Sequence, residues 1–200
     1  AGCFEPHDSG LTAFGYEVVD EMNRLGMVID LSHAGHKTAM DVVTYSNRPV
    51  TVTHANPYNW HPAPRNLQHD LLQALSDTGG MVGFSLYPHH LKGGSECGLS
   101  EFSQMAADLV TTYGSQMFGI GSDLCQDQPD SVVNWMRNGH WRKTPAQPVA
   151  FPACPVWFRD NRDFPGLSDG LFAAGLPVEH VAGILGGNWM AFWDKAFAPS

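Results

Sequence analysis

Positive charge is scarce in this sequence, and apolar runs are short. Eleven Lys and Arg stand against 20 Asp and Glu among 200 residues, a formal net charge of −9 with neutral histidine. Such an acidic surface repels phosphate backbones and anionic lipid, which argues against nucleic-acid binding and electrostatic membrane docking. No apolar run approaches the ~18–20 residues needed to span a bilayer. The opening AGCFEPHDSG has neither the basic start nor the apolar core of a signal peptide, and a start at Ala1 rather than Met leads us to expect material upstream. Cys3, Cys97, Cys125 and Cys154 form no CxxC pair, so a zinc ribbon or thioredoxin-type motif lacks support and idle or buried thiols are expected. GxGxxG, Walker A, GxSxG and HExxH patterns are missing too. Dinucleotide binding, P-loop phosphoryl transfer and serine-hydrolase chemistry therefore have no positive signal.

What is present describes one folded unit. Hydrophobic residues make up 43% and charged residues 16%, enough for a core and too little charge for disorder. Helical spacing of apolar residues covers 11–25, 36–46, 67–78, 99–113, 167–175, 177–185 and 188–197, several of them closed by Gly. Between them lie short runs suited to buried strands: 27–33, 50–54, 81–87 and 118–123. Each interval between strands holds one helix, so the pattern is repeated βα and predicts parallel strands in an α/β fold. Residues 124–166 show no sustained period and are expected to form a long ordered loop, packed by Trp135, Trp141, Trp157 and Phe158. The whole of 1–200 is then a single domain: βα units over 11–123, the loop, and C-terminal helices over 167–198.

In parallel α/β folds, functional side chains sit where strands give way to loops. His33, His54 and Asp123 occupy such positions. Adjacent parallel strands lie ~4.8 Å apart, so imidazoles at the ends of two neighbours can reach one metal ion at about 2.0–2.1 Å each. Asp123 could face the same centre across a closed barrel. Asp30 has two open readings: a carboxylate bonded to nearby backbone, or one that orients a ligand. Arg65, eleven residues beyond His54, could clamp a carboxylate. His36, His61 and His69 lie near this mouth, whereas the adjacent pair His89-His90 is expected on the surface. His7, His140 and His180 have no placed partners.

At this point LTAFGYEVVDEMNRLGMVIDLSH (11–33), PVTVTHANPYNWHPAPRN (49–66), FGIGSD (118–123) and ILGGNWMAF (184–192) resemble, in order, the membrane (renal) dipeptidase family, the M19 metallopeptidases. That family is similar to amidohydrolase-type TIM barrels with two zinc ions at the C-terminal mouth. The resemblance implies that His33 and His54 are ligands of one zinc and that Arg65 holds the substrate's free carboxylate. It places Asp123 beside the substrate amine and the metal-activated water as the catalytic proton carrier. The implied activity is zinc-dependent hydrolysis of dipeptides.

Two departures shape the expectation. Cys125 stands where the family carries a second acid. The family's His-x-Asp pair, metal-bridging Glu and upstream substrate-contacting His have no counterpart in position, since Glu5 and His7 lie in the wrong context. The four βα units match strands five to eight, so the resemblance implies the C-terminal half of a TIM-like (β/α)8 barrel. An open half-barrel exposes strand edges. Its completion by another polypeptide, or by an N-terminal half, is therefore expected. The alternatives are a non-catalytic M19-like subunit or binding protein, and an amidohydrolase acting on a related amide.

Overall fold

The computed structural model describes residues 1–126, 128–138 and 151–198. Three parallel strands, β1 (Thr51–Ala55), β2 (Met81–Phe84) and β3 (Phe118–Ile120), form a sheet in the order β1-β2-β3. Helices fill the intervals: α1 (Ala13–Leu25), α2 (His36–Tyr45), α3 (His69–Asp77) and α4 (Leu99–Tyr113). They are followed by α5 (Asp130–Asn138), α6 (Phe164–Ala173), α7 (Val178–Ala182) and α8 (Asn188–Ala196). The α/β class is as expected.

Three differences from the sequence reading stand out. The run 27–33 is not a full strand: it touches β1 through a single parallel bridge at Asp30–Thr51, with Leu31 N–H on Thr51 O at 2.7 Å and Thr51 N–H on Ile29 O at 2.9 Å. Asp30 itself ends the ladder, because its carboxylate draws the next N–H groups onto itself. Second, the supposed loop contains α5, whose Trp135 is 57% exposed. Trp157 and Phe158 do pack as expected, against Phe102 and Phe164, while His140 and Trp141 lie outside the described residues. Third, α7 runs into a π-type turn over Gly183–Gly187 before α8 rather than ending at 185.

One face of the sheet makes the core. Val52, Val82, Phe84 and Phe118 are buried against Phe102, Ala106 and Val110 of α4, with Phe84 stacked on Phe118 and edge-on to Phe102. The other face is built of small residues. A Cβ on Gly83 or Gly121 would collide with the Thr53 carbonyl oxygen, so only glycine lets the sheet curl this tightly. That curl carries the chain after β3 across towards β1. At the start of the strands, Met81 and Phe192 pack with Val28, Trp189 and Trp193. Asn188 Nδ2 donates to Phe118 O at 2.7 Å and Trp189 Nε1 to Ile120 O at 3.0 Å, so the outer edge of β3 is occupied from its first residue to its last.

Candidate functional site

Two backbone features aim the side chains at the end of the strands. Among the described residues, only two non-glycine positions have left-handed backbone: His33 at φ 69° and Asp123 at φ 51°. Such conformations persist only where surroundings hold them. For His33 the holders are Cys3 N–H, which donates to His33 O at 2.8 Å, and the turn closed by Ala34 N–H on Leu31 O at 2.9 Å. The second feature is a bulge in β1. Val52 faces Val82 and Ala55 faces Phe84, so one extra residue of β1 is fitted in around Thr53 and His54, and bulges re-aim side chains in this way.

The two features meet. His33 Nε2 lies 3.4 Å from His54 Nε2. Two nitrogens each about 2.0–2.1 Å from one tetrahedral ion stand about 3.3–3.4 Å apart, so the pair fits a shared metal ion. The proton bookkeeping agrees. Ionised Asp30 can only accept hydrogen bonds, so Thr53 Oγ1, 2.7 Å from Asp30 Oδ2, spends its one hydrogen there. Thr53 Oγ1 is also 2.9 Å from His54 Nδ1 and can now only accept from it. His54 therefore carries its proton on Nδ1 and turns the Nε2 lone pair towards His33. Both open readings of Asp30 thus hold: it accepts from Ser32 and Thr53 backbone N–H at 2.9 and 3.1 Å and orients His54 through Thr53.

Electrostatics favour neutral rings. Burial, then Arg65, pushes the His33 imidazole below its ordinary value, partly opposed by Asp123 and Asp30. Burial also lowers His54, against the upward pull of Asp123. Neutral imidazole is the form that binds a metal. Among the described residues, no group of three or more His, Cys, Asp and Glu is placed to hold an ion. Among the described residues, the two imidazoles are thus candidate metal-binding groups without a third such group beside them.

Asp123 Oδ2 reaches to 3.9 Å from His54 Nε2. Arg65 is 4% exposed; its Nη2 donates to His54 O at 2.9 Å, while its Nε is buried without a partner. Burial lowers the Arg65 guanidinium, opposed by Cys3, Asp123 and Asp30 close to it. His33, Arg65 and Asp123 line one cavity of about 520 Å³, together with Tyr87, His90 and Cys125. That volume lies in the range of small-molecule sites.

The profile of the membrane dipeptidase family, peptidase family M19, matches residues 2–136. The chain belongs to that family. It is 30% identical over 189 residues to Dipeptidase aclJ of Aspergillus oryzae, covering 92% of this chain and 38% of that protein. Mouse Dipeptidase 3 is 30% identical over 185 residues, with 92% and 33% covered. Among solved structures, an amidohydrolase from Pseudomonas aeruginosa superposes with a TM-score of 0.88 at 30% identity, covering 98% of this chain and 60% of the other. A metallo peptidase from Rhodobacter sphaeroides, liganded with a phosphinate mimic of the dipeptide L-Ala-D-Ala, gives 0.76 at 25% identity, with 94% and 48% covered. The M19 chain thus spans roughly a third of the two curated relatives' length and about half or more of these solved ones.

The sequence-predicted residues His33, His54, Arg65 and Asp123 converge in this M19 chain, and Asp30 joins them from behind. One expectation is corrected. His90 is not on the surface: it is 4% exposed, its Nδ1 is 2.7 Å from Ser85 Oγ, and its ring stacks on His54 at 6.2 Å. Burial, with Arg65 next, pushes it down to about 3. Thr53 was missed altogether, since nothing in the sequence marks the bulge that turns it. His36 starts α2 and sits 3.2 Å from Asp70, and His69, in α3, pairs with the Tyr113 hydroxyl. All four cysteines are free. Among the described residues no helix is long and apolar enough to cross a membrane.

Proposed function

We propose that this chain is the C-terminal half of a TIM-like barrel whose completed form is a zinc-dependent dipeptidase holding two ions. The observation that carries this is the 3.4 Å approach of the two Nε2 atoms, with the His54 proton fixed on the far side of its ring. The incomplete ligand set supports completion by other residues, from the same polypeptide or from a second one. So does the 29–31 segment, whose one strand partner among the described residues is β1. Beside it α1 exposes Phe14, Val18 and Leu25, and Met27 follows, an apolar strip that another βα unit would cover.

When bound, the metal ions supply Lewis acidity and a water acidified towards neutral pH. The chain's own residues do the rest. Arg65, which borders the cavity, takes the free carboxylate of a dipeptide, which favours dipeptides over longer peptides. Asp123, within 3.9 Å of His54, lies where it can move a proton to the leaving amine. His33 and His54 hold an ion in place, His54 with its tautomer set by Thr53.

The non-catalytic reading draws on the same two-ligand set, which alone would bind metal weakly. Metal analysis of the complete protein separates the two: about two zinc per barrel with dipeptide hydrolysis for the enzyme, near zero for a binding subunit. Arg65→Ala should raise KM for a free-acid dipeptide ~10²-fold with little change in kcat. A metal-loaded complete protein that hydrolyses no dipeptide would overturn the proposal. An amidohydrolase on a carboxylate-free amide would be indifferent to Arg65→Ala.

A further inference from the structure

His90 is held by more buried polar chemistry than a surface histidine needs. Asn56 Nδ2 donates to Ser85 O at 2.9 Å and to His90 O at 3.1 Å, and Asn66 Nδ2 donates to His90 O at 3.0 Å. Asn56, Asn66, Ser85 and His90 are all buried. A buried network of this kind is costly unless complete, and when complete it fixes its members rigidly.

The network also decides which nitrogen carries the proton. Ser85 is fully buried, and its Oγ has two partners: Tyr87 N–H at 3.3 Å, which donates to it, and His90 Nδ1 at 2.7 Å. A buried hydroxyl hydrogen needs an acceptor, and Nδ1 is the one at hand. Nδ1 therefore accepts, and the ring's N–H is at Nε2. That atom has no protein partner among the described residues, and its ring forms part of the cavity wall.

The Arg65 guanidinium and the His90 ring thus flank His54. Arg65 is anchored on the His54 carbonyl at 2.9 Å, and His90 is stacked on the His54 ring. Both border the same cavity. A peptide carbonyl offers one oxygen at one point, whereas a carboxylate offers two and suits a pair of donors. We propose that His90 is a substrate-binding residue whose Nε2–H donates to the same substrate carboxylate that Arg65 receives. This rests on the dipeptidase reading and narrows its substrates to those with a free carboxylate.

The test uses the complete, metal-loaded protein with a dipeptide and its C-terminal amide. His90→Phe keeps a ring and removes the donor. It should raise KM for the free acid ~10-fold at unchanged kcat and leave the amide within twofold. His90→Gln, which can present a side-chain N–H to the cavity, should recover most of that loss. Unchanged KM for the acid, or an equal fall in kcat on both substrates, would overturn the assignment. Should His90→Phe not fold, Ser85→Ala frees the tautomer and should raise KM for the acid ~3-fold with no effect on the amide; no change would again overturn it. If wild type hydrolyses no dipeptide, the enzyme reading fails by itself. Calorimetry with a phosphinate dipeptide analogue then still decides His90: a ~10-fold weaker affinity in His90→Phe supports it, and equal affinity rejects it.

Discussion

The two ends of the sheet are built on opposite terms. At the beginning of the strands, Trp189 stacks on Trp193 and Trp193 on Phe197, with Met81 and Phe192 beneath. Donors there find acceptors: Asn188 and Trp189 bond to β3, and Arg48 bonds to Ala196 O at 3.1 Å. At the other end, two residues hold left-handed backbone, a bulge interrupts β1, and the Arg65 Nε is buried without a partner. One end is relaxed and satisfied. The other is held in a state of unmet need, which is the condition for binding something.

Mutations should split along that line. Asp123→Asn is expected to have the largest effect, a ~10³-fold fall in kcat with metal content retained, read by steady-state kinetics beside metal analysis. A matching loss of metal would move Asp123 from proton transfer to ligation. Next is Trp189→Ala, which removes an indole stacked on Trp193 and should cost about 3 kcal/mol in denaturant unfolding while kcat/KM stays near wild type. Equal damage to activity would mean that the two ends are mechanically coupled. Thr53→Val should weaken metal affinity ~10-fold in a competition titration, with Thr53→Ser close to wild type, because only the hydroxyl sets the His54 tautomer.

The smallest effect is expected at Asp8, which receives Lys37 N–H at 2.7 Å, Thr38 N–H at 3.1 Å and the Thr38 hydroxyl at 2.6 Å at the start of α2. Burial pushes its carboxyl up, but the bonds from Thr38, Gly10 and Lys37 outweigh that and hold it at about 2. A depressed carboxyl stabilises fully above the ordinary value near 4 and loses that contribution as pH falls through about 2. Asp8→Ala should therefore cost about 1 kcal/mol at neutral pH and progressively less as pH falls from the ordinary carboxyl range through about 2, measured by unfolding along that range.

Local sequence explains why some of this was legible. α4 runs over the predicted 99–113 because Gly98 and Gly114 frame an uninterrupted amphipathic stretch. His33 and His54 could be found because parallel strands place their ends side by side, whatever lies between. The first strand was over-read: apolar residues at 27–31 suit a strand, but a ladder needs backbone partners, and Asp30 takes them for its carboxylate. α5 was under-read because its polar and aromatic composition hid a start at Pro129-Asp130. The His89-His90 error has a geometric cause. Both sit in a 3-10 turn over Pro88–His90, where consecutive side chains point about 120° apart. Neighbours in sequence therefore face different surroundings, and adjacency says nothing about which one is inside.

The occupied carbonyls of β3 have a consequence for assembly. Asn188 and Trp189 act as a doorstop on one side of the sheet, while the side at 29–31 stays receptive. A strand edge whose outward carbonyls are already taken is a poorer template for the edges of other molecules. The indole and the amide thereby guard this side of the sheet against edge-to-edge growth.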